Sequence, residues 1–268
     1  MKISDFTSSN TDFKTCCSAF YEYDLLHMLL GSSMHPGGIE LTKELGSTLK
    51  LIPDDKVLDL ASGFGTPAIT LGEEFGSQII GIDLSKKNVS QANAQAAKKG
   101  LSNVTFEVGD AEQLTFSDAS FDVVISECSF CLFPNKGAAA QEIFRVIKPN
   151  GRLGITDVSI EKKLPQDIQG MIFRVACIAD ALSLEGYKKE FAKAGFVHIR
   201  GEDRKDAVYK MIQEIKKKIF VAELAKGLKK IDLGELDLQK AKKWLKRGKE
   251  LVDDGYGTYV MITARKPL

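Results

Sequence analysis

An α/β fold, a doubly wound sheet with crossover helices on both faces, is the architecture this sequence predicts, and three observations predict it. The apolar run Val57-Leu-Asp-Leu60 leads into a turn containing Gly63 and Gly65, and the turn opens a helix. A second apolar run, Ile79-Ile-Gly-Ile82, ends on Asp83. Between residues 55 and 160, strand-like and helix-like segments alternate, the pattern of parallel strands joined by right-handed crossovers. A strand, a glycine turn, a helix and an acid-ended strand in that order build a crevice at the carboxyl edge of the sheet, where nucleoside ligands bind.

The elements follow in chain order. Residues 11–50 carry apolar positions at helical spacing, interrupted by Gly31-Ser-Ser-Met-His-Pro-Gly-Gly38, and predict an N-terminal helical cover. Gly63 and Gly65 stand where the chain turns sharply and a ligand approaches the backbone. Thr66 is placed to cap the following helix, with Pro67 at its first position, where a missing N–H costs little. Residues 164–181 read as a loop and helix, residues 183–196 as a helix ending at Gly195, and residues 197–202 as a strand. From residue 205 to about 254 lysines outnumber acids by roughly three to two, in a helical pattern with a break near Ile231-Asp-Leu-Gly234. Thr258-Tyr-Val-Met-Ile-Thr-Ala264 fits the last strand. The predicted division is a helical cover over 1–50, a core over 51–204, a Lys-rich helical insertion over 205–257 and the last of seven strands over 258–268.

Composition narrows the function classes. The chain has 268 residues and a formal net charge of +1, which allows one large domain with an elaboration. No apolar run approaches the roughly twenty residues of a membrane span. The start, Met1-Lys-Ile-Ser-Asp-Phe, lacks the apolar core of a signal peptide, and five cysteines read as reduced thiols; a cytoplasmic location is expected. The Lys-rich segment interleaves its lysines with apolar residues and has little aromatic content apart from Phe220 and Trp244. A solvated helical face is favoured there over a nucleic-acid surface.

The crevice suits one adenosine ligand better than another. Asp83 lies eighteen residues after Gly65, near the spacing of a carboxylate that binds ribose hydroxyls. A nicotinamide dinucleotide brings a pyrophosphate, which wants free N–H groups at the helix start. Pro67 removes one of them, and Asp59 would repel phosphate. The same carboxylate attracts a cationic amino-acid tail, which points to S-adenosylmethionine.

Asp59-Leu-Ala-Ser-Gly-Phe-Gly65 and Gly81-Ile-Asp-Leu-Ser85 resemble the first two motifs of the Rossmann-like class I methyltransferases. Val108-Gly-Asp-Ala-Glu112, Ser120-Phe-Asp-Val-Val-Ile125 and Phe144-Arg-Val-Ile-Lys-Pro-Asn-Gly-Arg-Leu153 resemble their third, fourth and fifth strand regions. Five motifs in order, over residues 50–160, make the resemblance specific. It implies that Asp59 and Gly63, with Ala61 and Gly65 in the same turn, border the methionine part. It further implies that Asp83 and Leu84 meet the ribose side, Asp110 and Ala111 the adenine, and Glu127 the transferred methyl.

Methyl transfer is an in-line displacement from a sulfonium, so the protein mainly aligns the acceptor and excludes water. The candidates for acceptor chemistry stand in Ser126-Glu-Cys-Ser-Phe-Cys-Leu-Phe-Pro134 and in the His-Pro-Gly-Gly loop. The Asn/Asp-Pro-Pro-aromatic motif of nucleic-acid adenine methyltransferases is absent, which counts against a base-flipping enzyme. Glu127 can serve as a base or orient an amine, or be a carboxylate satisfied by local N–H groups. His35 can bind acceptor or act as a base. Cys128 and Cys131 form a single Cys-x-x-Cys with no second pair, so no metal is expected; both also suit small buried positions. His27 and His198 read as ordinary, and Tyr21 and Tyr23 fit either pocket or lid packing.

Residues 164–196, with Leu164-Pro, Cys177-Ile-Ala-Asp-Ala-Leu182 and Ala194-Gly-Phe196, resemble the segment after the fifth strand in arsenite methyltransferases. The resemblance implies that Cys177 binds trivalent arsenic, a soft acceptor that prefers thiolates. No cysteine follows Cys177, and Cys16 and Cys17 do not match the family's spacing; Cys128, Cys131 and Cys177 form an alternative trio. The expected function is an S-adenosylmethionine-dependent methyltransferase of a small-molecule acceptor. That acceptor is either soft and thiophilic or a carbon, oxygen or nitrogen centre of a small metabolite, the latter suggested by Glu127, His35 and a resemblance to quinone and sterol-type methyltransferases. The competing classes are a nicotinamide-dependent oxidoreductase and a non-catalytic cofactor-binding protein. No membrane partner is expected, and oligomeric state is not readable.

Overall fold

The computed structural model describes residues 35–166, 180–227 and 238–268. Helix α1 (Gly38–Leu49) precedes strand β1 (Lys56–Leu60), whose Val57, Leu58 and Leu60 are fully buried. There follow α2 (Thr66–Phe75), β2 (Gln78–Asp83), α3 (Lys86–Lys98), β3 (Val104–Val108), β4 (Phe121–Glu127), a 3₁₀ turn (Phe130–Leu132), α4 (Lys136–Val146) and β5 (Ile147–Ile160). The chain then forms α5 (Leu184–Ala194), β6 (Val197–Asp203), α6 (Lys205–Gly227), α7 (Leu238–Asp253) and β7 (Gly257–Arg265).

Among the described residues these strands form one seven-stranded sheet in the order β3-β2-β1-β4-β5-β7-β6. Strands β1 to β5 are parallel, while β7 runs antiparallel to both β5 and β6. The parallel arrangement expected over residues 55–160 is formed by β1 to β5, and β7 makes the whole sheet mixed at one edge. The cause is the connection: a single helix carries the chain to the opposite edge of the sheet, whereas the pair α6 and α7 returns it to the edge it left. Strand order reverses between β1 and β4, which opens the crevice at their carboxyl ends.

Alternation along the strands distributes apolar side chains to two cores. Leu58, Leu60, Val124 and Leu153 face Ile143, Tyr187 and Phe191 of α4 and α5. Val57, Val123, Ile125 and Tyr259 face Leu45, Leu71 and Ala92 of α1, α2 and α3. Both faces are therefore covered. Ser85, Asn135 and Ser183 cap α3, α4 and α5 by accepting the N–H groups of Asn88, Ala138 and Gly186.

One expected cap is not formed. Gly65, at φ 78°, is the N-cap of α2, so Thr66 and Pro67 are its first and second residues and no side chain caps it. Helices α6 and α7 pack on each other through Ile219, Ala222 and Leu238. Ala207 at the base of α6 joins the core beneath α1, and Arg204 just before it pairs with Glu44 of α1. Phe220, Val221 and Trp244 are exposed. The described residues include only α1 and the turn before it from the predicted N-terminal cover. Most of the predicted 164–181 loop and helix, and the predicted break at 231–234, lie outside them. No helix among the described residues is long and apolar enough to cross a membrane.

Candidate active site

The glycine turn after β1 is built from left-handed backbone. Ala61, Gly63 and Gly65 have φ of 53°, 54° and 78°, and for Ala61 this conformation is uncommon. The two glycines are needed for different reasons. A Cβ on Gly63 would meet no atom within 4 Å, so that face of the turn is open. A Cβ on Gly65 would lie 2.4 Å from the Phe106 ring. Close packing against β3, beside the left-handed backbone, fixes glycine at that position.

Asp83 ties the turn to β2. Its Oδ2 accepts the Gly63 N–H at 2.9 Å, and its Oδ1 accepts the Ser85 N–H at 2.8 Å and the Asn88 side-chain N–H at 3.2 Å. Leu84, beside it, is 43% exposed at the same edge. After β3, Asp110 Oδ1 accepts the Glu112 N–H at 2.9 Å, shaping the turn in which Ala111 is buried.

Asp59 is 1% exposed, and its Oδ2 has no hydrogen-bond partner. Burial holds its carboxyl well above the ordinary aspartate range, and repulsion from Glu127 and Asp83 pushes it further. Ser62 Oγ, also buried, has no partner either.

Glu127 ends β4. The register Asp59↔Ile125 places it beyond Asp59, level with the start of the glycine turn. Its Oε2 accepts the Thr42 hydroxyl at 2.7 Å and lies 3.3 Å from His35 Nε2. Its Oε1 accepts the Thr156 hydroxyl at 3.4 Å. Thr156 in turn meets the Tyr259 hydroxyl at 3.0 Å. Burial raises the Tyr259 hydroxyl well above its ordinary range, with Cys128, Glu127 and Asp157 adding to it. Side-chain hydroxyls and an imidazole, not the local backbone N–H groups, surround this carboxylate.

Cys128 follows Glu127 with φ 54° and is half-buried; its N–H donates to the Thr156 carbonyl at 2.7 Å. Cys131, 1% exposed, lies in the 3₁₀ turn, where its N–H donates to Asp157 Oδ2 at 2.8 Å. Among the described residues no three His, Cys, Asp or Glu side chains are placed to hold a metal ion. Cys16, Cys17, Tyr21, Tyr23, His27 and Cys177 lie outside the described residues.

The structure brings together Asp59, Ala61, Gly63, Asp83, Glu127 and His35 around adjacent strand ends. It adds Thr42, Thr156 and Tyr259, which sequence reasoning missed. Nothing local marks them: each is an ordinary helix or strand residue until the sheet places it beside Glu127.

A methyltransferase-domain family model matches residues 52–218. The chain is 30% identical over 263 residues to 27-O-demethylrifamycin SV methyltransferase of Amycolatopsis mediterranei, covering 91% of this chain and 93% of that protein. It is 34% identical over 149 residues to an arsenite methyltransferase of Halobacterium salinarum, covering 54% of this chain and only 38% of that protein. Phosphoethanolamine N-methyltransferase 2 of Haemonchus contortus, solved in complex with S-adenosyl-L-methionine, superposes with a TM-score of 0.84 at 21% identity. That match covers 98% of this chain and 61% of the Haemonchus chain. This chain belongs to the methyltransferase-domain family and is a methyltransferase of the class I, Rossmann-like fold.

Proposed function

We propose that the chain is an S-adenosylmethionine-dependent methyltransferase of a small-molecule acceptor, with the cofactor lying across the carboxyl ends of β1, β2 and β3. The observation that carries this reading is Asp59: a buried carboxylate with an unpartnered oxygen, crowded by two other acids. Such a group is costly unless a cation meets it. The ammonium and sulfonium of S-adenosylmethionine supply positive charge, whereas a pyrophosphate would add to the repulsion. The open face of Gly63 leaves room for the methionine chain beside the turn. Asp83, oriented by three N–H donors, and exposed Leu84 beside it face the ribose side, and Asp110 with Ala111 closes the adenine end.

S-adenosylmethionine supplies an activated methyl group. Glu127 and His35 then stand on the acceptor side, held in a buried hydrogen-bonded group able to orient an N–H or O–H. This supports an oxygen, nitrogen or carbon acceptor, in keeping with the relative that spans nearly the whole chain. The second reading is a soft thiophilic acceptor such as arsenite or a thiol, bound by Cys128 with Cys177. It is supported by half-buried Cys128 and by the Halobacterium relative. The five cysteines of the sequence, read as reduced thiols, favour a reducing, cytoplasmic location.

Calorimetry with S-adenosylmethionine, S-adenosylhomocysteine and NADH tests the cofactor; binding of NADH alone overturns the reading. A mass-spectrometric screen for methylated products over arsenite, thiols, amines and phenols separates the two acceptor classes.

A further inference from the structure

Two side chains of one short stretch converge on a single oxygen far away in sequence. The turn His35-Pro36-Gly37-Gly38 sets Gly37 in the left-handed conformation at φ 85° and starts α1. Thr42, one helical turn in, then lies 3.3 Å from His35 Nε2, and both face Glu127 Oε2, at 2.7 Å for Thr42 and 3.3 Å for His35. The other His35 nitrogen, Nδ1, lies 3.1 Å from the Pro36 carbonyl oxygen. The His-Pro-Gly-Gly motif thus has a physical role, since it delivers a hydroxyl and an imidazole together to the end of β4.

The target needs them. The Glu127 side chain is 1% exposed, and a carboxyl group so buried is costly unless hydrogen-bond donors surround it. Thr42 makes the shortest of its side-chain contacts; the Thr156 hydroxyl is 3.4 Å away. The same carboxylate is close enough to Asp59 to raise that group by repulsion. Two acids therefore flank the place where the glycine turn begins.

We infer that Thr42 is a positioning residue, whose hydroxyl fixes Glu127 as a second buried anion that distinguishes the cationic sulfonium cofactor from its neutral thioether product. The inference rests on the reading that S-adenosylmethionine occupies the crevice. At low effective dielectric, a charge held a few ångströms away favours the sulfonium and does nothing for the thioether. Once the methyl has left, the attraction of Glu127 for the sulfur lapses while the ammonium still meets Asp59, so the product is held less tightly than the cofactor, which favours its release.

The test measures affinity for S-adenosylmethionine and for S-adenosylhomocysteine by calorimetry, in the wild type and in Thr42→Val, Thr42→Ser, Glu127→Gln and Ser47→Ala. Ser47 is exposed on the same helix, bonded only to its own turn through the Lys43 carbonyl, and controls for α1 itself. Thr42→Val and Glu127→Gln are each expected to lower the sulfonium-to-thioether affinity ratio about tenfold, the scale of one charge-assisted hydrogen bond. Thr42→Ser restores the hydroxyl and should keep the ratio within about twofold of wild type, as should Ser47→Ala. An unchanged ratio in Thr42→Val, or in Glu127→Gln should Thr42→Val not fold, overturns the inference. Failure of the wild type to bind either ligand overturns the cofactor reading instead.

Discussion

The carboxylate of Asp83 accepts the backbone N–H of Gly63 at 2.9 Å, twenty residues away. The acid that ends β2 thereby locks the glycine turn that follows β1, and the two halves of the crevice hold one shape. Asp83→Ala removes the acceptor for three N–H groups at once. Calorimetry should show S-adenosylmethionine affinity falling by about 1.5–3 kcal/mol, the scale of lost charged hydrogen bonds. An unchanged affinity would mean that the ribose edge lies elsewhere.

Phe106 occupies the space that two glycines leave. A Cβ on Gly81, its register partner in β2, would lie 2.4 Å from the ring and 2.8 Å from Ser62 Oγ. Gly81 has no left-handed backbone to protect, so Gly81→Ala tests packing alone. It should destabilise the fold by about 1–3 kcal/mol through overpacking, read as a lower melting temperature. Adding Phe106→Leu should return part of that loss. A double variant no more stable than Gly81→Ala would show that Ser62 or the turn, not the ring, is the obstacle.

The crevice was legible because its grammar is local. A strand, a glycine turn and an acid some twenty residues on lie within one crossover, so spacing alone places Gly63 near Asp83. Local grammar also misled. Thr66 looked like a cap, yet the left-handed Gly65 begins the helix, and close packing on Phe106 also demands glycine there. The reversed direction of β7 depends on two helices instead of one, which no residue within the strand announces. Thr42, Thr156 and Tyr259 were invisible for a further reason. Thr42 meets Glu127 across 85 residues and Thr156 meets Tyr259 across 103, and only the assembled sheet brings them together.

Asp59 predicts a trade between stability and binding. Burial, with Glu127 and Asp83, raises its folded pKa well above the ordinary value, about 3.9 for an unperturbed aspartate. Between those two values the folded state holds a proton that the unfolded state has lost. Stability is therefore full below the ordinary value and declines as pH rises toward the folded one. Asp59→Asn removes this decline. Its melting temperature should exceed that of the wild type at neutral pH and converge with it in acid, while S-adenosylmethionine binding weakens. Equal melting temperatures across the range would remove the buried charge from the account.

Glu142 titrates in the opposite sense. Its carboxylate takes hydrogen bonds from Arg145 Nε and Nη2, each at 2.8 Å, and from the Leu114 N–H at 2.8 Å. Bonding to Arg145 holds its pKa below the ordinary glutamate range. Arg145 also donates to the carbonyls of Phe116 and Leu114, so the pair clamps the segment between the Asp110 turn and β4. This contribution is present above the ordinary glutamate value, about 4.3, and is lost as pH falls through the depressed one. Glu142→Gln should lower stability at neutral pH by about 1–3 kcal/mol and flatten its dependence on acid. Denaturant unfolding at pH 7 and pH 3 measures both effects.

The two cysteines at the β4 edge separate the acceptor readings. Cys128 is half-buried in a left-handed backbone beside Glu127, whereas Cys131 is 1% exposed and held by its N–H to Asp157. Brief alkylation of the folded protein should therefore modify Cys128 and spare Cys131, which reacts only on unfolding. Peptide mass spectrometry reads the outcome. A thiophilic acceptor needs thiolates that meet it in the folded state, so Cys128→Ser and Cys177→Ser should each abolish arsenite methylation and leave cofactor affinity unchanged. Retained arsenite turnover in both variants would remove these thiols from the reaction and leave Glu127 and His35 as the groups that face the acceptor.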